Sequence, residues 1–197
     1  MKVFWMDAET SGTDPARHGI ISLAYAVEID GKVKEMGQKF SNCEGKEIDE
    51  GALKVNHFTR EQVATFPPPG ALYADLLTVF GRFVDKYNPA DKFYAGGYNV
   101  EFDLKFLRQL WADRSDSYFG SWFAFRSIDP STAIPFLLYA GRLPGFPAKQ
   151  KLVDVARYFG VEEDTAHDAW SDLRMVRHVA QKVAEMIAPP AVEDGAR

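Results

Sequence analysis

Apolar and polar positions along the first forty residues follow the pattern of a β-meander. Residues 2–7 and 20–28 are largely apolar, which is typical of strands that are buried over much of their length. The turn dipeptide Asp30-Gly31 then leads into a third apolar-polar stretch over residues 32–40. The pattern therefore predicts three consecutive antiparallel strands at the start of the chain.

The rest of the chain has mainly helical periodicity. Apolar residues recur at helical spacing over residues 71–87, and a second such stripe begins at Val100, with Asn99 as its expected N-cap. Short strands are predicted at residues 93–97 and 126–129, and further helices at residues 49–55, 131–139, 152–159 and 168–187. This order predicts one α/β domain over residues 1–187 around a mixed sheet, with residues 188–197 as a short flexible tail.

The composition of the chain excludes several classes of protein but does not by itself indicate a function. The chain has 197 residues and a net charge of −5, which disfavours a protein that coats long nucleic acid but allows an enzyme that grips a chain end. The single cysteine, Cys43, excludes an intrachain disulfide and fits a reducing compartment. No apolar run approaches the roughly 20 residues of a membrane helix, so we expect a cytoplasmic protein with no membrane partner.

Two carboxylates stand where the first strand is predicted to end. Asp7 and Glu9 are two residues apart, so in extended backbone they project from the same face. Like charges about 4 Å apart repel by roughly 4 kcal/mol at an effective dielectric constant near 20, and a bound divalent cation reverses that cost. Oxygen ligands of this kind favour Mg²⁺ or Mn²⁺. The alternative interpretation is a pair of ordinary turn acids.

A third carboxylate lies on a predicted helix. Asp103 shares a helical stripe with apolar Phe106 and Leu107, and a carboxylate that faces a core needs a partner. That partner is either a buried basic residue or a metal shared with the first strand. Phe102, at the helix start, is a candidate for stacking on a base or sugar, although a core position explains it as well. Asn99 is a candidate for touching substrate in addition to capping.

A third cluster contains His167 and Asp172. If His167 lies in the turn that enters the last helix, it can lean over a site into which Asp172 points. A neutral imidazole there could take a proton from water near neutral pH. The alternative is a surface histidine before a helix. His57, at the end of a short predicted helix, is a further candidate for bordering the site. Four carboxylates and an imidazole are the groups of a metal-dependent phosphodiesterase.

These motifs, in this order, resemble those of the DnaQ-like 3′–5′ exonucleases of the DEDDh group. The resemblance rests on Asp7-Ala8-Glu9-Thr10, on Asn99-Val100-Glu101-Phe102-Asp103 and on the His-x4-Asp spacing of residues 167–172. It covers roughly residues 2–187. Trp170 departs from the leucine that members commonly have between the histidine and the last aspartate, which puts substrate preference in doubt.

The resemblance implies a fold, a cofactor and a reaction. The fold would be ribonuclease-H-like, with a five-stranded mixed sheet of three antiparallel strands followed by two parallel ones, flanked by helices. Two Mg²⁺ or Mn²⁺ ions would be held by four carboxylates, those of Asp7, Glu9, Asp103 and Asp172. His167 would deprotonate the attacking water, releasing nucleoside 5′-monophosphates. Thr10, Ser11 and Gly12 match the segment that lies against the terminal nucleotide.

Substrate and partner are left with alternatives. The expected partner is a single-stranded or frayed 3′ end, of DNA rather than RNA, in a proofreading or stand-alone editing role; RNA trimming is the alternative. A second alternative is a DNA polymerase-associated subunit that mainly binds, through the aromatic residues 118–123, which could equally be a loop that caps the core. The basic stretch 141–160 is the best candidate for touching a phosphate backbone, or else it is an ordinary solvated face.

Overall fold

A five-stranded mixed sheet forms the centre of the computed structural model, which describes residues 1–161 and 169–188. The strand order is β3-β2-β1-β4-β5. The antiparallel pairs are β1 with β2 and β2 with β3, whereas β4 runs parallel to β1 and β5 runs parallel to β4. The strands are β1 Lys2–Thr10, β2 Ile20–Ile29, β3 Lys32–Phe40, β4 Phe93–Gly96 and β5 Phe123–Ile128. The predicted α/β fold and strand directions are confirmed.

The first strand is longer than its apolar pattern predicted. Residues 2–7 were expected, but β1 continues to Thr10 because its ladder with β2 continues past the apolar run, pairing Asp7 with Ala24 and Glu9 with Ser22. The register shifts between Glu9 and Thr10. Asp7 and Glu9 therefore lie inside a hydrogen-bonded strand, and the interpretation of the two as turn acids is wrong.

Helices cover both faces of the sheet. They are α1 Glu50–Asn56, α2 Arg60–Ala64, α3 Pro69–Phe83, α4 Glu101–Ala112, α5 Pro130–Tyr139, α6 Leu152–Tyr158 and α7 Ala169–Ile187. The short helix α2 was not predicted, although a capping box between Thr59 and Gln62 marks its start. The helix predicted over residues 71–87 begins two residues earlier, because proline suits a first helical turn, and ends at Phe83, where Val84 turns extended.

Alternation along β1 divides its side chains between two hydrophobic clusters. Phe4 and Met6 pack with α3 and α4 on one face. Val3 and Trp5 pack on the other face with α7 residues such as Leu173. By the same period of two, Asp7 and Glu9 continue the row that starts with Val3 and Trp5. The two acids are thus the polar end of the row that α7 covers.

The aromatic segment that precedes β5 packs mostly into the protein. Trp122 and Phe123 are buried, and Phe119 stacks on Phe123 with ring centroids 5.1 Å apart. A 3₁₀ turn, Phe119–Ser121, leads directly into β5, which begins three residues before the predicted start at residue 126. Tyr118 is the main side chain that this segment exposes. The interpretation of residues 118–123 as a loop that caps the core is the one that fits.

Cys43 is a buried free thiol in a small cluster with Ile21, Leu53 and Val63. Burial raises the pKa of its thiol to about 11, which disfavours the nucleophilic thiolate at neutral pH. Within the described ranges, none of the helices combines the length and the apolar character that a membrane span requires.

Candidate active site

Two strand residues and one residue of the last helix form the first part of the site. Asp7 and Glu9 are half-buried on β1. Asp172, also half-buried, lies in the first turn of α7, directly before Leu173, which packs on the β1 row. The packing of α7 on this row therefore brings Asp172 over the end of the strand that carries the other two acids.

Asp103 approaches the same strand from the start of α4. Strand β4 pairs with β1 only from Val3 to Trp5, so the later part of β1 extends beyond β4. The backbone N–H of Ala8, which lies between Asp7 and Glu9, donates instead to Oδ1 of Asp103 at 3.0 Å. This hydrogen bond attaches the helix carboxylate to the strand between the two strand carboxylates.

Glycine allows this close approach. A Cβ atom at Gly96, the last residue of β4, would lie 2.5 Å from the ring of Trp5. A Cβ atom at Gly97 would lie 2.8 Å from Val100 and 3.0 Å from the carbonyl oxygen of Met6. Any larger residue would move the start of α4 away from β1, and with it Asp103.

Asp129 caps α4, a role that sequence analysis gave to Asn99. The carboxylate of Asp129, which follows β5, accepts from the N–H of Asn99 at 3.1 Å, of Val100 at 2.9 Å and of Ser131 at 2.8 Å. Asn99 itself has a φ of 57° and makes no side-chain cap, so the prediction of Asn99 as N-cap is wrong. Asp129 is buried and fixes the N-termini of both α4 and α5.

Mutual repulsion shows that the four carboxylates share one region. Burial raises the pKa of Asp7 well above its ordinary value, and the negative charges of Asp103, Glu9 and Asp172 raise it further. The pKa of Glu9 is raised by burial and then by Asp172. Burial raises the pKa of Asp103 from 3.8 to about 7, although its hydrogen bond from Ala8 lowers it. For these three groups, no lysine or arginine of the described chain acts in the opposite direction.

The donor set fits a hard divalent cation. Every charged ligand candidate is a carboxylate, and burial and neighbouring charges make Asp7, Glu9 and Asp103 harder to ionise, a cost that a cation would offset. In the part of the chain that is described, no three His, Cys, Asp or Glu side chains already stand in the geometry of a metal site.

The segment after the acids is held by inward hydrogen bonds. Ser11 is fully buried, and its hydroxyl donates to the Glu47 carbonyl at 2.6 Å and accepts from the Gly19 N–H at 2.9 Å. The Thr10 hydroxyl donates to the Gly12 carbonyl at 2.7 Å. Both hydroxyl groups are already hydrogen-bonded to backbone groups of the protein. Any contact from residues 10–12 to a ligand would therefore come from their backbone groups.

Helix α1 is attached to the same segment. The side-chain amide of Asn56 donates to the Thr10 carbonyl at 2.7 Å. His57, the next residue, is exposed in a left-handed conformation with a φ of 60° that ends α1. At Gly12, a Cβ atom would lie 2.3 Å from the ring of His18, so this turn requires glycine. The structure thus places His57 beside the turn that follows Asp7 and Glu9.

Three further residues were predicted to contact substrate or to act in catalysis, and the structure describes two of them, Phe102 and Asn99. Phe102 is half-buried and packs on Phe106 with ring centroids 5.1 Å apart, at the edge of the core cluster. It occupies the core position that sequence analysis gave as the alternative, while keeping part of its ring exposed. Asn99 is exposed. His167 lies outside the described residues.

Known proteins that resemble the chain are exonucleases. Residues 4–180 match the RNase_T family model, described as "Exonuclease". A product-bound exonuclease I superposes with a TM-score of 0.75 at 20% identity, over 93% of this chain and 43% of that one. The zinc-bound E. coli exonuclease I complex with single-stranded DNA gives a TM-score of 0.71 at 20% identity, over 96% and 41%. Exonuclease I from Methylocaldum szegediense gives 0.76 at 21% identity, over 93% and 40%.

These structural matches show the ribonuclease-H-like fold, and the chain spans about two-fifths of the length of each exonuclease I. A comparison with curated protein sequences gave no significant match. The family model covers almost the whole folded chain and includes both strand acids, Asp103 and Asp172. The chain belongs to the RNase_T exonuclease family, the DnaQ-like DEDDh phosphodiester hydrolases.

Proposed function

We propose that the chain is a metal-dependent 3′–5′ exonuclease that removes nucleoside 5′-monophosphates from single-stranded DNA ends. The observation that carries the proposal is the convergence of Asp7, Glu9, Asp103 and Asp172 in one half-buried region, where burial and neighbouring carboxylates raise the pKa of Asp7, Glu9 and Asp103. A protein gains nothing in stability from such a cluster. Its cost is explained if the carboxylates bind cations for a reaction.

Each residue has a distinct role in this proposal. Asp7, which interacts with the three other acids, is placed to be shared by two cations. Asp103 is oriented by Ala8, and Asp172 is contributed by α7. Bound Mg²⁺ or Mn²⁺ would supply positive charge to activate water and to neutralise the scissile phosphate. His167 is proposed as the base that takes the proton of the attacking water.

The terminal nucleotide would lie between the start of α4 and the turn after β1. The partly exposed ring of Phe102 offers a surface for a base or sugar, and exposed His57 and Asn99 lie at the ends of the segments that border the acids. Backbone groups of Thr10, Ser11 and Gly12 are proposed to contact the terminal sugar. Stacking on an aromatic ring does not depend on base identity, which suits an enzyme that shortens any sequence.

Single-stranded DNA is proposed as the substrate because the structural relatives include an exonuclease I bound to it. RNA is the alternative. The described contacts around Thr10–Gly12 include no group whose position requires or forbids a 2′-hydroxyl. A proofreading role with a DNA polymerase remains part of this proposal only as one setting for the same reaction, because the aromatic segment 118–123 is largely buried.

The test is digestion of 5′-labelled DNA and RNA strands of one sequence, with Mg²⁺, with Mn²⁺ and with EDTA. We expect the DNA to shorten stepwise from its 3′ end, releasing 5′-monophosphates, and EDTA to stop the reaction. A matched Asp7→Asn protein controls for contaminating nuclease. Release of internal fragments, or equal digestion in EDTA, would contradict the proposal. Faster shortening of the RNA strand would replace DNA by RNA as the substrate.

A further inference from the structure

A pair of lysines stands beside the acidic site and has no role in it. Lys149 and Lys151 are both exposed and flank Gln150, just before helix α6. Among the described residues, neither lysine takes part in an ion pair, whereas other cations such as Lys2, Lys39 and Lys46 do. The chain as a whole carries a net charge of −5, so exposed lysines without an ion-pair partner in the described part of the chain are available to an anionic ligand.

The position of this segment is fixed by the loop that carries Asn99. The hydroxyl of Tyr98 donates to the carbonyl oxygen of Gln150 at 2.6 Å. Leu152, on the other side of Lys151, packs with Tyr98 in the cluster that contains Trp5 and Leu173. The lysine segment is therefore attached at Gln150, between the two lysines, and at Leu152, directly after Lys151, to the face of the sheet that carries the site.

The same contacts place the lysines at the rim of the site. Trp5 belongs to the β1 row that continues to Asp7 and Glu9, and Leu173 follows Asp172. Tyr98 directly precedes Asn99 at the start of the helix that carries Asp103. The lysine segment thus neighbours the elements that supply the acids, but it carries none of the acids itself.

We propose that Lys149 and Lys151 bind the phosphates of the substrate strand upstream of the terminal nucleotide. This inference rests on the proposed function. A strand that approaches four carboxylates meets repulsion, and cations at the rim offset it where the chain enters. Lysine suits this role because an ammonium group binds phosphate as a mobile point charge and requires no particular base.

The test compares two double variants with equal changes in charge. Lys149→Gln with Lys151→Gln removes the proposed contacts. Lys32→Gln with Lys34→Gln removes two exposed lysines from β3, at the opposite edge of the sheet and the far end of β1. Each protein is assayed for kcat/KM on a long single strand and on a dinucleotide, over a range of salt concentrations, and for equilibrium binding of the long strand. The dinucleotide has only the phosphodiester that is cleaved and lacks the upstream phosphates that the lysines are proposed to bind.

We expect the Lys149/Lys151 variant to lose roughly three- to thirtyfold in kcat/KM on the long strand, and to keep its rate on the dinucleotide. Loss of two phosphate contacts should also reduce the slope of log affinity against log salt by about 1.4. The β3 control should match the wild type. Equal losses on both substrates, no loss on the long strand, or equal effects of the two double variants would each overturn the inference.

Failure of the inference can be told apart from failure of the proposed function. If the long strand is shortened equally well with and without Lys149 and Lys151, the nuclease proposal survives and the rim site does not. If the wild type binds the strand through these lysines but never shortens it, the rim site survives and the nuclease proposal fails.

Discussion

Replacing Asp103 by asparagine should stabilise the metal-free protein, and the gain should grow as the pH rises from about 4 to about 7. Asp103 is 5% exposed, and burial raises its pKa from 3.8 to about 7. The interval spans roughly 3 pH units, and each corresponds to about 1.4 kcal/mol, so ionisation of this group costs the fold about 4 kcal/mol. A domain is typically stable by only about 5–15 kcal/mol, so the effect is large enough to measure.

The sign follows from the raised pKa. The group's contribution to stability is fully present below the pKa of the unfolded chain, near 3.8, and is lost progressively as the pH rises from there to the folded-state pKa of about 7. The asparagine side chain of the Asp103→Asn variant would keep an oxygen to accept the Ala8 N–H, now accepted by Asp103 at 3.0 Å, and cannot ionise. The gain in free energy of unfolding should therefore be near zero at about pH 4 and approach about 4 kcal/mol above about pH 8.

Denaturant unfolding in EDTA across this pH range measures the difference between the variant and the wild type. Asp75→Asn is the matched control, because Asp75 is exposed on α3 and paired with Lys39 at 2.9 Å. Added Mg²⁺ should stabilise the wild type more than the Asp103→Asn protein. A difference that does not change with pH, or one that Asp75→Asn reproduces, would refute the argument that Asp103 is held in a buried and repulsive site.

Three further substitutions test the roles of single residues. Asp7→Asn should lower nuclease activity by roughly a thousandfold or more while raising the melting temperature of the metal-free protein, because it removes the most strongly repelled charge; wild-type turnover would contradict this. His167→Ala should lower the rate by about 10²–10⁴ with Mg²⁺ binding retained, as rate and calorimetric titration would show; an unchanged rate at neutral pH would exclude His167 as the base. Asp129→Ala should lower the free energy of unfolding by about 1–3 kcal/mol and raise the Mg²⁺ concentration needed for half-maximal rate, with partial recovery in Asp129→Asn; a loss of stability at unchanged Mg²⁺ dependence would limit Asp129 to capping.

The local pattern of apolar and polar residues was sufficient to predict the strands of the sheet and their directions, but it did not predict where β1 ends. The largely apolar residues 20–28, the Asp30-Gly31 turn and the apolar-polar residues 32–40 gave the antiparallel pairs correctly. The end of β1 was misjudged because Asp7 and Glu9 are polar, whereas pairing with β2 depends on backbone groups and continues regardless of side-chain polarity. The same limit applies at α3, whose helical periodicity continues in the sequence beyond the point where the backbone becomes extended.

The site was predictable where its residues lie close in sequence. A spacing of two on a strand was enough to place Asp7 and Glu9 on one face, and helical spacing was enough to turn Asp103 toward buried surroundings. Asp129 was not predictable as the cap of α4, because it lies about thirty residues after Val100 and reaches it only through the parallel pairing of β4 and β5. Asn99 has the residue type of a cap, but its left-handed backbone already excludes that role.

The carboxylates that are proposed to bind the cations also destabilise the metal-free fold when they are ionised, because they are buried close to one another. A protonated Asp103 relieves the repulsion around Asp7 and favours the folded metal-free chain, but a protonated carboxyl group is a poor ligand for a cation. Lower pH therefore acts on the two properties in opposite directions: the free energy of unfolding of the metal-free protein rises while its affinity for Mg²⁺ falls. The Ala8 N–H contacts Asp103 directly and the Asp129 cap fixes the start of its helix, so we expect the change in protonation to alter the charge of Asp103 and not the position of the helix.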